Sequence, residues 1–378
     1  MGRVGLVYPY NGQFTPFLRY GCINEIFNEL ILVAPEGWGM THKDASRADN
    51  GSFLGLTVTS DFQGELEHCD TVIFCNYSLP LEIKRHIYPK ILDSIHKKKD
   101  IVCLLPLDLD LECELRTICE YEGVKFDYYK NGSANTFIEE NKGKADMAIK
   151  TLNVPVILVL GIGERTNKFD IQLALRDYYI KNGYQVSQVG TRNYCEWAGF
   201  HSFPEFMFNK TLSEIQKIIF FNNYIKSIEA AEKPDVLIIG VPGGIIPIND
   251  ILYQDFGILA YQISCAIKPD VCILSLYYEQ YQQNLLDDIN NSIRHRFGFE
   301  IDCLNLANIR LDITGSMDKR KAVYFNIDNE LCEKLKAAMN MPDKPVFNIS
   351  NGQDAKEISE FTRCRLEEYS EIVLVNEG

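Results

Sequence analysis

The chain alternates short β-rich runs with amphipathic helical stretches, and it does so in two separate series. In the first series the strand candidates are 4–8, 30–34, 71–75, 101–105 and 124–128, and the helix candidates are 81–97 and 111–122. Strands and helices that alternate at this spacing predict a parallel sheet with helices on both faces. The first series therefore predicts an α/β domain.

A second series begins at Val154, after a Gly-, Asn- and Lys-rich stretch over 130–146 that predicts a linker. Its strand candidates are 156–160, 186–190, 236–240, 271–276, 301–309 and 323–327, and its helix candidates are 169–182, 213–231, 282–297 and 329–339. A strand at 346–349 and a helix at 355–369 either close this sheet or form a small appendix. Because 378 residues exceed one typical core, we predict two domains, a Rossmann-like one over 1–145 and a second over 146–378.

The charge balance excludes two classes of partner. The formal net charge is −14 and the pI is about 5.0, whereas proteins that bind nucleic acid or anionic membranes carry an excess of positive charge. No apolar run reaches the length of a membrane span. The first residues run straight into a strand-like stretch and lack the features of a signal peptide. We expect a cytoplasmic protein that binds neither nucleic acid nor membrane.

The twelve cysteines need a separate interpretation. No C-x-x-C pair occurs in the sequence, so the usual spacings of zinc and iron–sulfur sites are missing and we predict no metal. Cys75 and Cys103 stand inside apolar runs. We therefore expect buried thiols that act as small hydrophobic side chains, a composition that suits a reducing compartment.

The segment 156–170 carries the clearest chemical signal. A buried apolar strand ends at Gly161, a loop containing Gly163 follows, and a helix begins close to Lys168. Loop N–H groups and the helix dipole converge on an anion in such an arrangement. The predicted ligand-binding residues are Gly161, Gly163, Glu164, Arg165, Thr166, Asn167, Lys168, Arg192, Gly243 and Gly244.

Residues 161–170 resemble, without gaps, the P-loop of dethiobiotin synthetase and cobyrinic-acid-type ligases, which begins Gly-x-Gly and ends Gly-Lys-Thr-Thr. Gly161, Gly163 and Lys168 match that pattern. Asn167 replaces the last glycine, and Phe169 replaces the hydroxyl residue that binds Mg²⁺ in those families. The resemblance implies a P-loop-NTPase-like second domain that binds ATP or GTP.

Residues 234–247 resemble the strand and diglycine turn of the same families. An acidic residue before the turn helps to hold the metal there, and Gly240 occupies that place in this chain. Both metal positions are thus lost, so we do not expect the protein to hold Mg²⁺. The alternative interpretation is a tight turn from strand to helix with a solvated lysine.

Other candidates have ordinary structural explanations as well. Arg192 either meets a phosphate or carboxylate at the sheet edge or lies on the surface. The aromatic stretch 197–204 either lines a pocket or packs as a local core, and His201 has no partner at a metal-binding spacing. Asn249 and Asp250 either touch a ligand or cap a helix.

The first domain lacks a dinucleotide fingerprint. Residues 8–12 follow the first strand without a G-x-G-x-x-G pattern, so nicotinamide binding is not expected. The loop 34–39 contains Gly37, Trp38 and Gly39 at a sheet edge. These residues either contact a ligand or serve the geometry of a turn.

The stretches 34–39, 161–170, 200–206 and 241–247 together resemble the family of peptide maturation system proteins. These proteins are encoded beside radical SAM peptide maturases and cysteine-rich precursor peptides. The resemblance implies an accessory role in the maturation of a ribosomally made peptide, with the precursor peptide and the maturase as partners. It identifies no catalytic residue.

Three functions remain open from the sequence. The first is an accessory protein that binds a nucleotide or another anion at 161–168. The second is an ATP-dependent ligase or kinase-like enzyme, with Glu164, Asp170 or Asp235 supplying metal ligands. The third is a non-catalytic scaffold for the precursor peptide and the maturase. A homo-oligomer is compatible with each of them.

Overall fold

The computed structural model describes residues 3–77, 81–129, 148–339 and 344–375, with side chains up to residue 368. The contacts separate the chain into two compact units, Met1–Lys130 and Asn131–Gly378. The linker predicted over 130–146, and with it the boundary at 145/146, falls outside the described residues, so both stay predictions.

In its described residues, the first unit contains one parallel sheet and four α-helices. Its strands are β1 Val4–Tyr8, β2 Glu29–Val33, β3 Val58–Thr59, β4 Thr71–Phe74, β5 Asp100–Cys103 and β6 Phe126–Tyr128. Its helices are α1 Thr15–Arg19, α2 Phe62–Leu66, α3 Tyr88–His96 and α4 Leu109–Glu122. The strand order is β3-β2-β1-β4-β5-β6, and every pair is parallel.

The part of the second unit that the structure describes contains a seven-stranded parallel sheet and a separate two-stranded ribbon. Its strands are β7 Val156–Gly161, β8 Val186–Gly190, β9 His201–Ser202, β10 Val236–Gly240, β11 Val271–Leu276, β12 Cys303–Leu306, β13 Ile309–Leu311, β14 Tyr324–Asn326 and β15 Val346–Phe347. Its helices are α5 Lys168–Lys181, α6 Glu214–Glu232, α7 Ile258–Ala266, α8 Gln283–Phe297, α9 Ile313–Lys319, α10 Asn329–Ala338 and α11 Gly352–Val375. The sheet order is β15-β12-β11-β7-β10-β8-β9. The two-domain α/β fold class is confirmed.

Two sequence predictions of the second unit are corrected at its ribbon. The stretch 323–327 forms β14, which pairs antiparallel with β13 instead of joining the main sheet. The single strand predicted over 301–309 is interrupted after β12, and β13 starts at Ile309. Phe325 is 53% exposed, and a strand that exposes a large side chain does not suit a parallel sheet covered on both faces. The strand predicted over 346–349 forms β15, which closes the sheet beside β12.

Aspartates at the amino edges of both sheets perform the same structural task. Each stands just before a strand and accepts a hydrogen bond from a backbone N–H at or next to the start of a neighbouring strand. Asp70 accepts from Val4 at 2.8 Å in the first unit, and Asp235 accepts from Gln185 at 2.7 Å in the second. Asp270 and Asp302 accept from Val156 and Cys272, each at 2.8 Å. These carboxylates satisfy strand ends that would otherwise lack an acceptor.

Eight of the twelve cysteines are buried as predicted, whereas Cys113, Cys265 and Cys364 are exposed and Cys22 is partly buried. Cys75 and Cys103 are buried in the core of the first unit, with 2% and 0% exposure. Burial raises the pKa of the Cys103 thiol to about 12, so it stays protonated and behaves as an apolar side chain. In the part of the chain that the structure describes, no helix combines the length and the apolar character needed to cross a bilayer.

The position of β7 determines where a ligand site can lie in the second unit. β7 is buried along its whole length and lies between β10 and β11. The strands that follow β7 in sequence, β8 to β10, lie on one side of it, and the later strands β11 and β12 lie on the other side. The strand order therefore reverses at β7. In open α/β sheets, ligands bind outside the carboxyl ends of the strands at such a reversal. The loops after β7, β10 and β11 therefore form the candidate site.

Candidate functional site

The β7 loop, residues 161–168, leads from the central strand into α5. Arg165 and Asn167 adopt left-handed backbone conformations, with φ of 57° and 58°. A Cβ on Gly161 would lie 2.8 Å from the Gly163 oxygen and 2.9 Å from Cδ of Lys168. Only glycine fits at Gly161, because any side chain there would displace the lysine.

Lys168 is the central side chain of the site. It is 6% exposed, and its Nζ donates hydrogen bonds to the Gly163 oxygen at 3.1 Å and to the Gly243 oxygen. Burial disfavours the charged form and lowers the pKa of Lys168 to about 8, while the Glu164 carboxylate acts in the opposite direction. The lysine thus connects the β7 loop to the turn after β10.

The diglycine turn after β10 comes close to the β7 loop. Gly243 has a φ of 78°, a conformation that favours glycine. A Cβ on Gly244 would lie 2.7 Å from the Ile162 oxygen. The structure therefore brings together the two segments that the sequence singled out separately.

Two further residues, Ser275 and Tyr277, shape the loop and were missed by the sequence analysis. Both come from the carboxyl end of β11. Ser275 Oγ donates to the Thr166 oxygen, and Tyr277 donates its hydroxyl to the Glu164 oxygen at 2.8 Å. Their only signal in the sequence was their place at the end of a buried strand, which predicts an edge position but no contact.

Unused donors remain at the loop. Among the described residues, the backbone N–H groups of Arg165, Thr166 and Lys168 have no acceptor. α5 is 14 residues long, so its N-terminus adds a positive partial charge at the same place. The buried lysine, the three N–H groups and the helix N-terminus concentrate positive partial charge at the β7 loop.

The metal positions of the resembled families are filled by other side chains. A Cβ on Gly240 would overlap the amide of Gln172, which donates through Nε2 to the Lys168 oxygen at 2.9 Å. Phe169 lies beneath Arg192, whose Cζ is 3.9 Å from the ring centroid. Over the described ranges of the chain, no three His, Cys, Asp or Glu side chains lie close enough to hold a metal ion.

The remaining predicted residues are distributed unevenly around the loop. Arg192 contacts Phe169 in the first turn of α5 and donates to the Tyr194 hydroxyl at 3.0 Å. Glu164 and Arg165 are exposed, and Arg165 lies over the ring of Tyr324 at 5.1 Å. Arg192 therefore approaches the loop, whereas the other two side chains form its outer surface.

Two candidates of the sequence analysis belong to the framework. Asp235 precedes β10 and lies at the amino edge of the sheet, opposite the β7 loop, where its carboxylate accepts the Gln185 N–H at 2.7 Å. His201 pairs with Glu232 at 2.6 Å, and Glu232 also accepts a hydrogen bond from Ser187. This pair fastens β9 to the end of α6.

Two loops carry structural roles that the sequence had left open. In the aromatic stretch, Trp197, Phe200 and Phe203 are 4–6% exposed and pack as a local core. Asn249 accepts hydrogen bonds from the N–H groups of Ile251 and Leu252, each at 2.9 Å, so its side chain caps a turn.

In the first unit, the glycines at 37 and 39 serve a turn. Gly37 and Gly39 have φ of 82° and 70°, values that turn geometry alone explains.

The fold resembles that of solved structures at very low sequence identity. A DUF1611 family protein from Anabaena variabilis matches 81% of this chain and 88% of its own, with a TM-score of 0.55 and 9% identity. Chloroplast FtsY from Physcomitrella patens matches 72% and 81%, with a TM-score of 0.31 and 13% identity. No family model and no curated protein matches the sequence. The similarity to the first structure concerns the fold alone.

Proposed function

We propose that the β7 loop binds the phosphate groups of a nucleotide, ATP or GTP, or another anionic ligand. The observation that carries the proposal is Lys168, a buried lysine that bonds to both the β7 loop and the diglycine turn. In a chain with a net charge of −14, this concentration of positive charge and N–H donors serves anion binding better than it serves the fold.

The loop is suited to binding and orienting a phosphate without a metal held by the protein. Phe169 and Gly240 replace the metal ligands of the resembled families, and the Gln172 amide fills the space beside Gly240. A divalent ion would be held there by the nucleotide alone. Hydrolysis of the usual P-loop type is therefore not part of the proposal.

The wider role rests on the family resemblance. We propose an accessory protein of ribosomal-peptide maturation in the cytoplasm, with the precursor peptide and a radical SAM maturase as partners. Co-purification of the tagged protein with its co-expressed precursor peptide tests this role. Loss of the peptide in a Lys168→Ala variant would place the partner at the loop, and no co-purification with either protein would contradict the partner assignment.

Calorimetric titration of purified variants with ATP and GTP tests the site itself. Lys168→Ala should weaken binding by about tenfold or more, because charged hydrogen bonds contribute roughly 1.5–3 kcal/mol each. Lys181→Ala is the matched control, since Lys181 lies exposed in the last turn of the same helix. Equal affinity in Lys168→Ala and Lys181→Ala would contradict the site assignment.

A further inference from the structure

A glutamine side chain already occupies part of the β7 loop. Gln254 accepts a hydrogen bond through Oε1 from the backbone N–H of Glu164 at 3.2 Å. Its Nε2 donates to the Ile162 oxygen at 3.1 Å and to the Ile246 oxygen at 3.4 Å. The amide oxygen thus takes a loop N–H of the kind that a phosphate oxygen takes in P-loop proteins.

Glycines make room for this amide. A Cβ on Gly163 would lie 2.7 Å from Oε1 of Gln254. A Cβ on Gly244 would overlap the same amide. Two glycines that the sequence analysis assigned to ligand binding therefore form a cradle that Gln254 fills.

Residues 254–257, the turn that carries Gln254, have unfavourable backbone conformations. Gln254, Asp255 and Phe256 have φ of 48°, 48° and 54°, and Gly257 follows with 69°. Side chains with a Cβ rarely adopt the left-handed conformation, and three in succession need support from contacts elsewhere. Tyr253 and Phe256 are about half exposed. The turn is also held by a hydrogen bond from Arg296 to the Phe256 oxygen at 3.2 Å and by stacking of Tyr253 on Phe256. Withdrawal of the Gln254 amide removes the bonds that connect the turn to the β7 loop.

We propose that the Gln254 side chain competes with an anionic ligand for the β7 loop. The Gln254 amide must leave its position before an anion can accept the Glu164 N–H. The inference rests on the proposed function, since a competitor requires a ligand. An anion that displaces the amide gains the N–H group and lets residues 254–256 leave their left-handed conformation. Occupied and empty loops then differ in the conformation of the exposed turn around Tyr253.

Calorimetric titration of two opposed variants with ATP and inorganic pyrophosphate tests the inference. Gln254→Ala removes the competing amide and should tighten binding about three- to tenfold. Gln254→Glu keeps the size of the side chain but adds a negative charge, so it should weaken binding. A purely structural role would make both variants weaker than the wild type. Gln353→Ala, at an exposed glutamine bonded to Glu357, is the control and should leave affinity unchanged.

Hydrogen exchange gives an independent measurement. In the wild type, saturating ATP should speed exchange in the peptide 251–261, and Gln254→Ala should show fast exchange there without ligand. If the wild type binds ATP, but Gln254→Ala binds no more tightly and ligand does not change exchange in 251–261, the competition by Gln254 is ruled out. The proposed anion site itself would still stand. If neither the wild type nor Gln254→Ala binds either probe, the proposed function fails and the competitor with it.

Discussion

The turn after β1 in the first unit and the β7 loop in the second unit occupy equivalent places in their sheets. β1 lies between β2 and β4, and β7 lies between β10 and β11. In both sheets the strand order reverses at that strand. Both turns therefore lie where α/β folds bind ligands. The two turns differ in the residues that line this position.

In the first unit the place is filled by the protein's own side chains. Tyr10 is fully buried, and its hydroxyl donates to the Ala45 oxygen at 2.9 Å. Asn11 donates to the Pro9 oxygen at 2.8 Å and to the Asn76 oxygen at 3.0 Å, which connects the turn to the end of β4. The helix that follows, α1, has only five residues, so it adds little dipole.

In the second unit the place is lined by glycine backbone, and the Gln254 amide reaches into it. Glycines at 161, 163 and 244 leave no room for a Cβ of their own, and a 14-residue helix follows. The charged group beneath the loop is Lys168. The comparison teaches that the fold provides the position, while glycine or bulky side chains decide whether the position is closed or open to a ligand.

The largest expected effect comes from breaking the closed turn. Asn11→Ala removes both carbonyl contacts and the acceptor for the Gln13 N–H at 3.0 Å. Because Asn11 is 9% exposed, we expect a loss of about 3 kcal/mol in the free energy of unfolding. Urea denaturation measures this loss, and nucleotide affinity should not change.

Asn28→Ala is the control for this variant, because the exposed Asn28 side chain accepts one hydrogen bond from Arg3. It should cost less than about 1 kcal/mol. A large loss of nucleotide affinity in Asn11→Ala would contradict the division of roles between the two turns.

The next effect tests the filled metal position beside the β7 loop. Gly240→Ala forces a Cβ against the Gln172 amide and should cost about 2 kcal/mol of stability, a typical penalty for overpacking. Gln172→Ala in the same chain should recover at least about 1 kcal/mol of it, as a double-mutant cycle by thermal or urea unfolding would show. Additive effects in that cycle would mean that Gln172 does not occupy the space beside Gly240.

A smaller effect is the pH dependence of binding. The pKa of Lys168 is about 8 in the empty loop, and an anion binds the protonated lysine. Affinity for ATP should therefore fall as pH rises, by about tenfold or more between pH 7.5 and 9.5. Calorimetry across this range measures it, and the residual affinity of Lys168→Ala should stay flat. A flat profile in the wild type would show that the charge of Lys168 does not contribute to binding.

The smallest effect concerns the aspartates that accept strand-end N–H groups at the amino edge of both sheets. Asp70→Asn and Asp235→Asn weaken equivalent caps at 2.8 and 2.7 Å, and each should cost about 1 kcal/mol of stability. Neither should alter nucleotide affinity, because both residues lie at the amino edges of their sheets. A change in nucleotide affinity in Asp235→Asn, measured by calorimetry, would indicate that Asp235 contributes to the binding site.

The sequence predicted the sheets well because buried parallel strands leave continuous apolar runs. The bounds of β1, β8, β10 and β11 agree with the prediction. Residues 258–266 were missed as a helix, since Ile258–Ala266 is apolar on several sides and shows no helical period. The pairing of β14 was also missed, because period alone does not specify a partner strand.

The site was predictable only in part. Glycine spacing and Lys168 revealed the β7 loop, because backbone geometry constrains those residue types locally. Gln254 and Tyr277 reach the loop from positions roughly a hundred residues away in sequence, and nothing in their local pattern predicts such a contact. The contact between Gln172 and Gly240 could not be predicted for the same reason, since Gly240 is required only because the Gln172 amide fills the adjacent space.

Calorimetric titration of the wild-type protein with ATP, with and without Mg²⁺, tests the central claim most directly. The account predicts micromolar binding that persists in EDTA, because Lys168 and the loop N–H groups hold the phosphates without metal ligands from the protein. Binding that appears only with Mg²⁺, accompanied by release of ADP, would contradict the account and favour an ATP-dependent enzyme. No binding of ATP or GTP under either condition would contradict the nucleotide assignment itself.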